Sequence, residues 1–393
     1  MAWLAGYTKR KKITIDNTNV DSDLTNFPLL VKVTSDAAIG AVCRSDGLDI
    51  RFTSVDGTTL LKYERETFSV SGGQATGIFW VKVPTVAGAA DTDVYLYYGD
   101  AAASDGADGE NVWDSNFKLV WHLPNGSSLT ATDSTSLNND GTVDGATAAA
   151  GLIHGAASFD GSNDYIAKAS PTFIDDAAGT VSVWVKAAST TGERAIWSVT
   201  TDGTVDDEWF LEFRGDASDE LEATILVSGG VNLDKKTAAS QIPDTTNWRH
   251  IVSTSDGSTI KTYVDGVEKS FVSGSGTNSG QWFGTATSAN VFSLGILQRS
   301  TNVIPWHGLI DEVRVSSAAR AAAWIKFEYN NIIAADNELT IAVEEVLATD
   351  AVVFPRPWLA PLLNYRDEWW AEIATAGTTT ANSRRRRLFC SGA

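Results

Sequence analysis

His307–Arg320 reads HGLIDEVRVSSAAR. Apolar and polar side chains alternate through HGLIDEVRV, the mark of a strand with one buried face. The pattern then breaks into small residues and an arginine. Neighbouring residues on a regular strand point to opposite faces. Asp311 and Glu312 are therefore expected to diverge, and they cannot serve one another as a catalytic pair.

The same signature recurs on both sides of this stretch: short alternating runs bounded by Gly, Asp, Asn or Ser. Upstream stand TVSVWVKA, AIWSVT, EWFLEFRG, LEATILVSG, WRHIVSTSDGSTIKTYVDGVEKS and VFSLGI. About a dozen such strands suggest a jelly roll of two large packed sheets. Nearer the start come KKITID, FPLLVKVT, GLDIRFTSVDGTTLLKYERETF, GIFWVKVP and TDVYLYYGD. In FPLLVKVT, Phe27, Leu29, Val31 and Val33 share a face, and Asp56-Gly57 marks a hairpin turn. This set fits a smaller β-sandwich. The expected fold class is all-β: an N-terminal β-sandwich over 1–112, a jelly roll over 113–343, and an extended C-terminal attachment segment over 344–393. Downstream of the opening stretch, Ala318–Tyr329 has good helix formers, with Trp324, Phe327 and Tyr329 as anchors. ELTIAVEE reads as one further strand, returning to the first domain.

The bulk numbers agree with a globular β protein. The chain has 393 residues, 43% hydrophobic and 20% charged, with 33 glycines. Its formal net charge of -19 argues against a nucleic-acid partner, because phosphate would be repelled. Cys43 and Cys390 are too few for a disulfide framework. No run is long and apolar enough for a membrane span. The opening MAWLAGYTKRKKITID lacks a signal-like apolar core, so synthesis in the cytoplasm without general export is expected. After Val343 there are six acidic and six basic residues, so the whole charge excess sits on the body. That last segment carries three prolines between Pro355 and Pro361, interleaved with large apolar side chains. Trp358, Leu362 and Leu363 are expected to be buried in a contact with another subunit.

Two resemblances follow from the quoted motifs. KKITI, FPLLVKV, DGLDIRFTSVDGTTLL, WVKVP, and YLYYGD followed by VWD resemble, over residues 3–122, an uncharacterised β-domain family of bacterial surface and phage structural proteins. SFDGSNDYI, SVWVK, WRHI leading to YVDG, and the closing GLIDEVRV resemble the concanavalin A-like, laminin-G-type lectin domains, over residues 119–330. The second resemblance implies a sugar-binding jelly roll. It also implies a structural Ca²⁺, held by an aspartate that opens the last strand and an acid near the domain's start. Asp311 matches the first and Asp160 is chosen for the second, with Asp164 as a substitute.

Laminarinase-type glycosidases share this jelly roll and carry alternating acids on one strand. In EWFLEF, Glu208 and Glu212 share a face, but Phe210 fills the middle place, and a solvated strand face explains Glu208, Glu212, Glu220 and Glu222. No catalytic residues are assigned. The four histidines, His122, His154, His250 and His307, show no metal-ligand spacing. Sugar stacking needs exposed aromatics; Trp209, Trp282 and Trp306 lie beside expected loops and are the candidates. The expected function is a non-enzymatic phage virion protein presenting a glycan-binding lectin-like module, as a tail-fibre, receptor-binding or capsid-decoration component. Its expected partners are other virion subunits, copies of itself and a cell-surface glycan. A glycosidase or polysaccharide lyase, and a bacterial adhesin, are the rivals.

Overall fold

KRKKITI forms the strand Lys9–Ile15 and buries Ile13 and Ile15 completely. The computed structural model describes residues 2–348, apart from 125, 127, 205, 216–218 and 335–337. Trp358, Leu362 and Leu363, and the arginines at 384–387, lie outside the described residues. The chain falls into a unit Met1–Leu347 and a unit Ala348–Ala393.

Among the described residues, antiparallel strands build two sandwiches. In the first, a five-stranded sheet runs in the order Leu339–Val346, Lys9–Ile15, Thr92–Tyr98, Arg51–Ser54, Leu60–Leu61. It faces a three-stranded sheet of Leu24–Asp36, Gln74–Val86 and Tyr63–Ser71. ELTIAVEE does return to the first domain: Ile341 pairs with Ile13 and Leu339 with Ile15. Lys9–Glu344 at 3.0 Å and Arg10–Glu345 at 2.7 Å fasten the strand.

The second sandwich is the jelly roll. One eight-stranded sheet centres on Gly179–Ala187, flanked by His307–Ser316 and Arg249–Ser255. The other centres on Glu208–Arg214, flanked by Glu193–Thr200 and Glu220–Val227. Period-2 side chains from both, such as Val181, Val183 and Val185 against Trp209, Leu211 and Phe213, interlock in one core.

The outer face of the first of these sheets is also covered. Trp184 is fully buried and packs near-parallel to both His250 (4.8 Å) and Tyr329 (5.7 Å). Tyr329 belongs to the helix Ala322–Ile333, which begins later than the expected Ala318. Arg320 ahead of it is held instead by its backbone N–H donating to Thr180 Oγ1. Trp324 and Phe327 of this helix pack on Phe27 at 4.8 and 5.0 Å, which joins the two sandwiches through a shared apolar layer.

His307–Ser316 departs from the regular strand expected of it. The pairing with Gly179–Ala187 slips between Ser182 and Trp184, and Glu312 has φ +48°. This is a β-bulge. Ile310 and Val313 stay in the core, while Glu312 reaches Arg314 and His122 on the outer side. Asp311 accepts from the Leu152 N–H on that same outer side. Asp311 and Glu312 thus share a face, contrary to expectation, because one inserted residue shifts the alternation.

Candidate functional site

The three tryptophans proposed as sugar platforms are core residues. Trp209 and Trp306 are fully buried and Trp282 is 1% exposed. Trp209 lies 4.5 Å from Trp197 and 5.7 Å from Trp282, so they pack one another. A ring with no exposed face cannot stack on a pyranose. The sequence misled here because both faces of the strand Glu208–Arg214 are buried, so alternation no longer separates core from surface.

Asp160 and Asp311 do not meet either. Asp160 pairs with His307, four positions along the strand from Asp311, which is roughly 13 Å at strand rise. Asp311 is fully buried, and its oxygens accept from the backbone N–H groups of Leu152, Ile153 and Glu312. Asp160 is exposed and accepts from Ser162 N–H in a local turn. Asp164 accepts from Asp160 N–H. These donors do not fit one shared calcium; Asp311 caps a loop instead.

The acids of EWFLEF are not a solvated face. Glu208 is fully buried and held at both oxygens by Arg299, at 2.7 and 2.6 Å. Phe210 lies under Leu297, Val303 and Ile304. Glu212 pairs directly across strands with Glu222, and both are 5% exposed. Arg214 Nη1 sits 3.4 Å from Glu212 and 2.8 Å from Glu222. Burial, then the Glu222 charge, pushes the Glu212 carboxyl up to about 8. The folded protein therefore keeps a proton that the unfolded chain releases above its ordinary value of 4.5. Stability contributed by this proton is complete below that value and is lost as pH rises through about 8. The loss is on the order of a few kcal/mol. Glu212→Gln should flatten the fall in melting temperature between pH 5 and 9; parallel curves for wild type and variant would refute the assignment.

One concave opening gathers positive charge. The chain leaves one sheet at Val267–Lys269 and enters the other at Phe271–Gly276, with Ser270 alone between them. Beside this crossing lies a groove of about 500 Å³, lined by Lys235, Lys261, Lys269, Phe271 and Asn278 among others. Lys235 follows Leu233 on the inward face of Gly230–Thr237, so it points into the mouth between the sheets. Asn278 fixes the rim by exchanging hydrogen bonds with both backbone groups of Ile260, each 2.8 Å. Opposite Lys235, Gly274 has φ +113°, and a Cβ there would come within 2.0 Å of the Asp234 carbonyl. Glycine thus allows the close approach of the edge strand. Lys261 pairs with exposed Glu268 at 3.1 Å. Among the described residues, Lys235 and Lys269 have no acidic partner within salt-bridge reach. Lys235, Lys261 and Lys269 are too far apart in the sequence to signal a shared groove; only the fold brings them together.

Comparison with known proteins follows the same two-part division. No curated protein matches the chain. Among solved structures, the chain is similar to domain 4 of AbnA, a GH43 extracellular arabinanase from Geobacillus stearothermophilus, in complex with arabinotriose (20% identity, 54% of this chain and 97% of that one, TM-score 0.39). It is also similar to the CBM40 of the Ruminococcus gnavus IT-sialidase bound to α2,3 sialyllactose (16%, 50% and 95%, TM-score 0.33). A third is the binding domain of botulinum neurotoxin serotype D (16%, 55% and 52%, TM-score 0.40), about half of which the chain spans. Residues 46–122 match the model of a domain of unknown function, DUF2341, and residues 160–326 match that of the concanavalin A-like lectin/glucanases superfamily. The chain therefore holds a region similar to the DUF2341 domain followed by one similar to the concanavalin A-like domains.

Proposed function

We propose that the chain is a non-catalytic module whose jelly roll binds an anionic glycan in the groove of Lys235, Lys261, Lys269 and Phe271. The observation that carries this reading is the gathering of three lysines and one glutamate around a single concavity, on a chain of net charge -19. Like charges held together repel, and an anionic ligand relieves the repulsion. Carboxylated or sulfated sugars supply such anions, and half-buried Phe271 offers an apolar surface beside them. A retaining glycosidase needs two carboxyls about 5–5.5 Å apart, one free to attack. Glu208 is neutralised by Arg299, and Glu212 and Glu222 share Arg214. That arrangement favours binding over hydrolysis.

The place of work we propose is a phage particle, with the module as a tail-fibre, receptor-binding or capsid-decoration component. The support is the resemblance of the N-terminal motifs to a family of phage and bacterial surface proteins. Contacts to other subunits, including further copies, would run through Trp358, Leu362 and Leu363.

The test is titration with a panel of neutral, uronic and sulfated oligosaccharides by calorimetry. Acidic members should bind, weakening as salt rises. Charge reversal by Lys235→Glu with Lys269→Glu should lower affinity at least about tenfold, roughly 1.4 kcal/mol. The panel should be recovered uncleaved. Preference for neutral sugars, affinity indifferent to the two lysines, or release of reducing ends would each overturn the reading.

A further inference from the structure

The bulge at Asp311-Glu312 aims Glu312 into the seam between the two sandwiches, where side chains from four distant segments converge. Glu66 comes from Tyr63–Ser71, His122 follows Phe117–Trp121, His154 precedes Gly155–Asp160, and Glu312 lies in His307–Ser316. Glu66, His122 and Glu312 place their ligand atoms within 4.8 Å of one another. His122 Nδ1 is 2.8 Å from Glu312 Oε1 and 3.9 Å from Glu66 Oε2. The other Glu66 oxygen, Oε1, is 3.8 Å from His154 Nδ1.

Two of these atoms lack partners. Glu66 Oε1 and His154 Nδ1 are both buried and have no hydrogen bond. The Glu66 side chain is only 6% exposed. An orphaned carboxylate oxygen at such depth costs the fold free energy. Arg314 pairs with Glu312 and Glu328, while Glu64 faces the other ring nitrogen of His122 at 3.4 Å. The remaining orientation is well fixed. His122 stacks on Trp80 at 5.5 Å, and Trp80 Nε1 donates to Glu66 Oε2 at 3.0 Å.

We infer that this seam binds a divalent first-row transition ion, with zinc as the best match, through Glu66, His122, His154 and Glu312. Two imidazoles and two carboxylates are a zinc-type donor set and an unsuitable one for calcium, which takes oxygen ligands. Tetrahedral zinc spaces such donors about 3.4 Å apart. The His122–Glu312 and His122–Glu66 distances of 2.8 and 3.9 Å bracket that value, and His154 approaches the other Glu66 oxygen at 3.8 Å. His154, 35% exposed in its side chain, marks the route of entry. The ion would occupy the two orphaned atoms, tying four segments from both sandwiches together. The site is separate from the lysine groove and independent of the glycan reading.

The experiment uses the full chain, stripped with chelator and titrated with Co²⁺ and then Zn²⁺ at pH 7.5. Expected are visible cobalt absorption saturating at one equivalent, its loss on adding Zn²⁺, and a higher melting temperature with either ion. His154→Ala, at the partly exposed edge, should fold and bind at least about tenfold more weakly. Glu66→Gln should do the same. Absence of the cobalt band and of any thermal shift at excess metal overturns the site. Saturation at one equivalent that His154→Ala leaves unchanged also overturns it, because the ion then lies elsewhere.

Discussion

Deleting residues 335–393 is expected to unfold the N-terminal sandwich, whereas deleting 349–393 should leave melting unchanged within a few degrees. The difference lies in the strand Leu339–Val346, the outermost strand of the five-stranded sheet. It covers Lys9–Ile15 along its length, and the Leu347 N–H still donates to the Thr8 carbonyl at 2.8 Å. Buried apolar side chains are each worth about 1.5–3 kcal/mol. Leu339 and the half-buried Ile341 together with their ladder therefore contribute roughly 4 kcal/mol, a large share of an ordinary domain's stability. Loss of the strand also bares the edge of Lys9–Ile15, an aggregation template. Cutting after Glu345 would already remove Val346, which pairs with Lys9, so the clean boundary falls after Ala348. Circular dichroism melts of the two truncations decide the matter. Equal stability of both would show that the strand is dispensable.

Arg314→Ala should cost about 3–5 kcal/mol, the penalty for leaving buried ion-pair partners unmatched. Arg314 is 3% exposed and bonds Glu312 at 2.8 Å and Glu328 at 2.6 Å. Its guanidinium lies 4.4 Å from the Trp80 ring of the other sandwich and 5.3 Å from that of Trp113 in the connecting segment, so one side chain from the jelly roll engages both. Removing it strands two carboxylates in a seam already rich in them. Urea denaturation should show the loss, and adding Glu312→Gln and Glu328→Gln should restore part of it. A cost under 1 kcal/mol would mean that water enters the seam freely.

Much of this architecture was legible from the residues. TVSVWVKA and EWFLEFRG formed strands because β-branched and aromatic residues at period 2 leave little alternative. ELTIAVEE was legible as a strand with a partner in the first domain. What alternation could not convey was which polar residues are buried. Glu208, Glu212 and Ser182 look solvent-facing in sequence, yet a loop covers the first, Arg214 shields the second, and the helix Ala322–Ile333 lies over the third. The bulge at Glu312 has no glycine to announce its positive φ. The cluster of Glu66, His122, His154 and Glu312 was invisible because its members are spread over four segments and share no spacing. Sequence motifs report metal sites only where ligands neighbour one another along the chain.

The pairing of Lys9–Ile15 with Leu339–Val346 also sets a timetable. A ribosome adding about 5–20 residues per second needs roughly 15–70 s to travel from the first partner to the second. Throughout that interval the first sheet has one flank open, while the whole jelly roll emerges and can close on its own strands. Folding order therefore inverts chain order: the inner domain matures first, and the outer one waits for its last strand. Closing so long a loop adds little to the equilibrium cost but slows the search. Nascent chains halted before Leu339 should be the ones that chaperones hold and that trade strands with a neighbour.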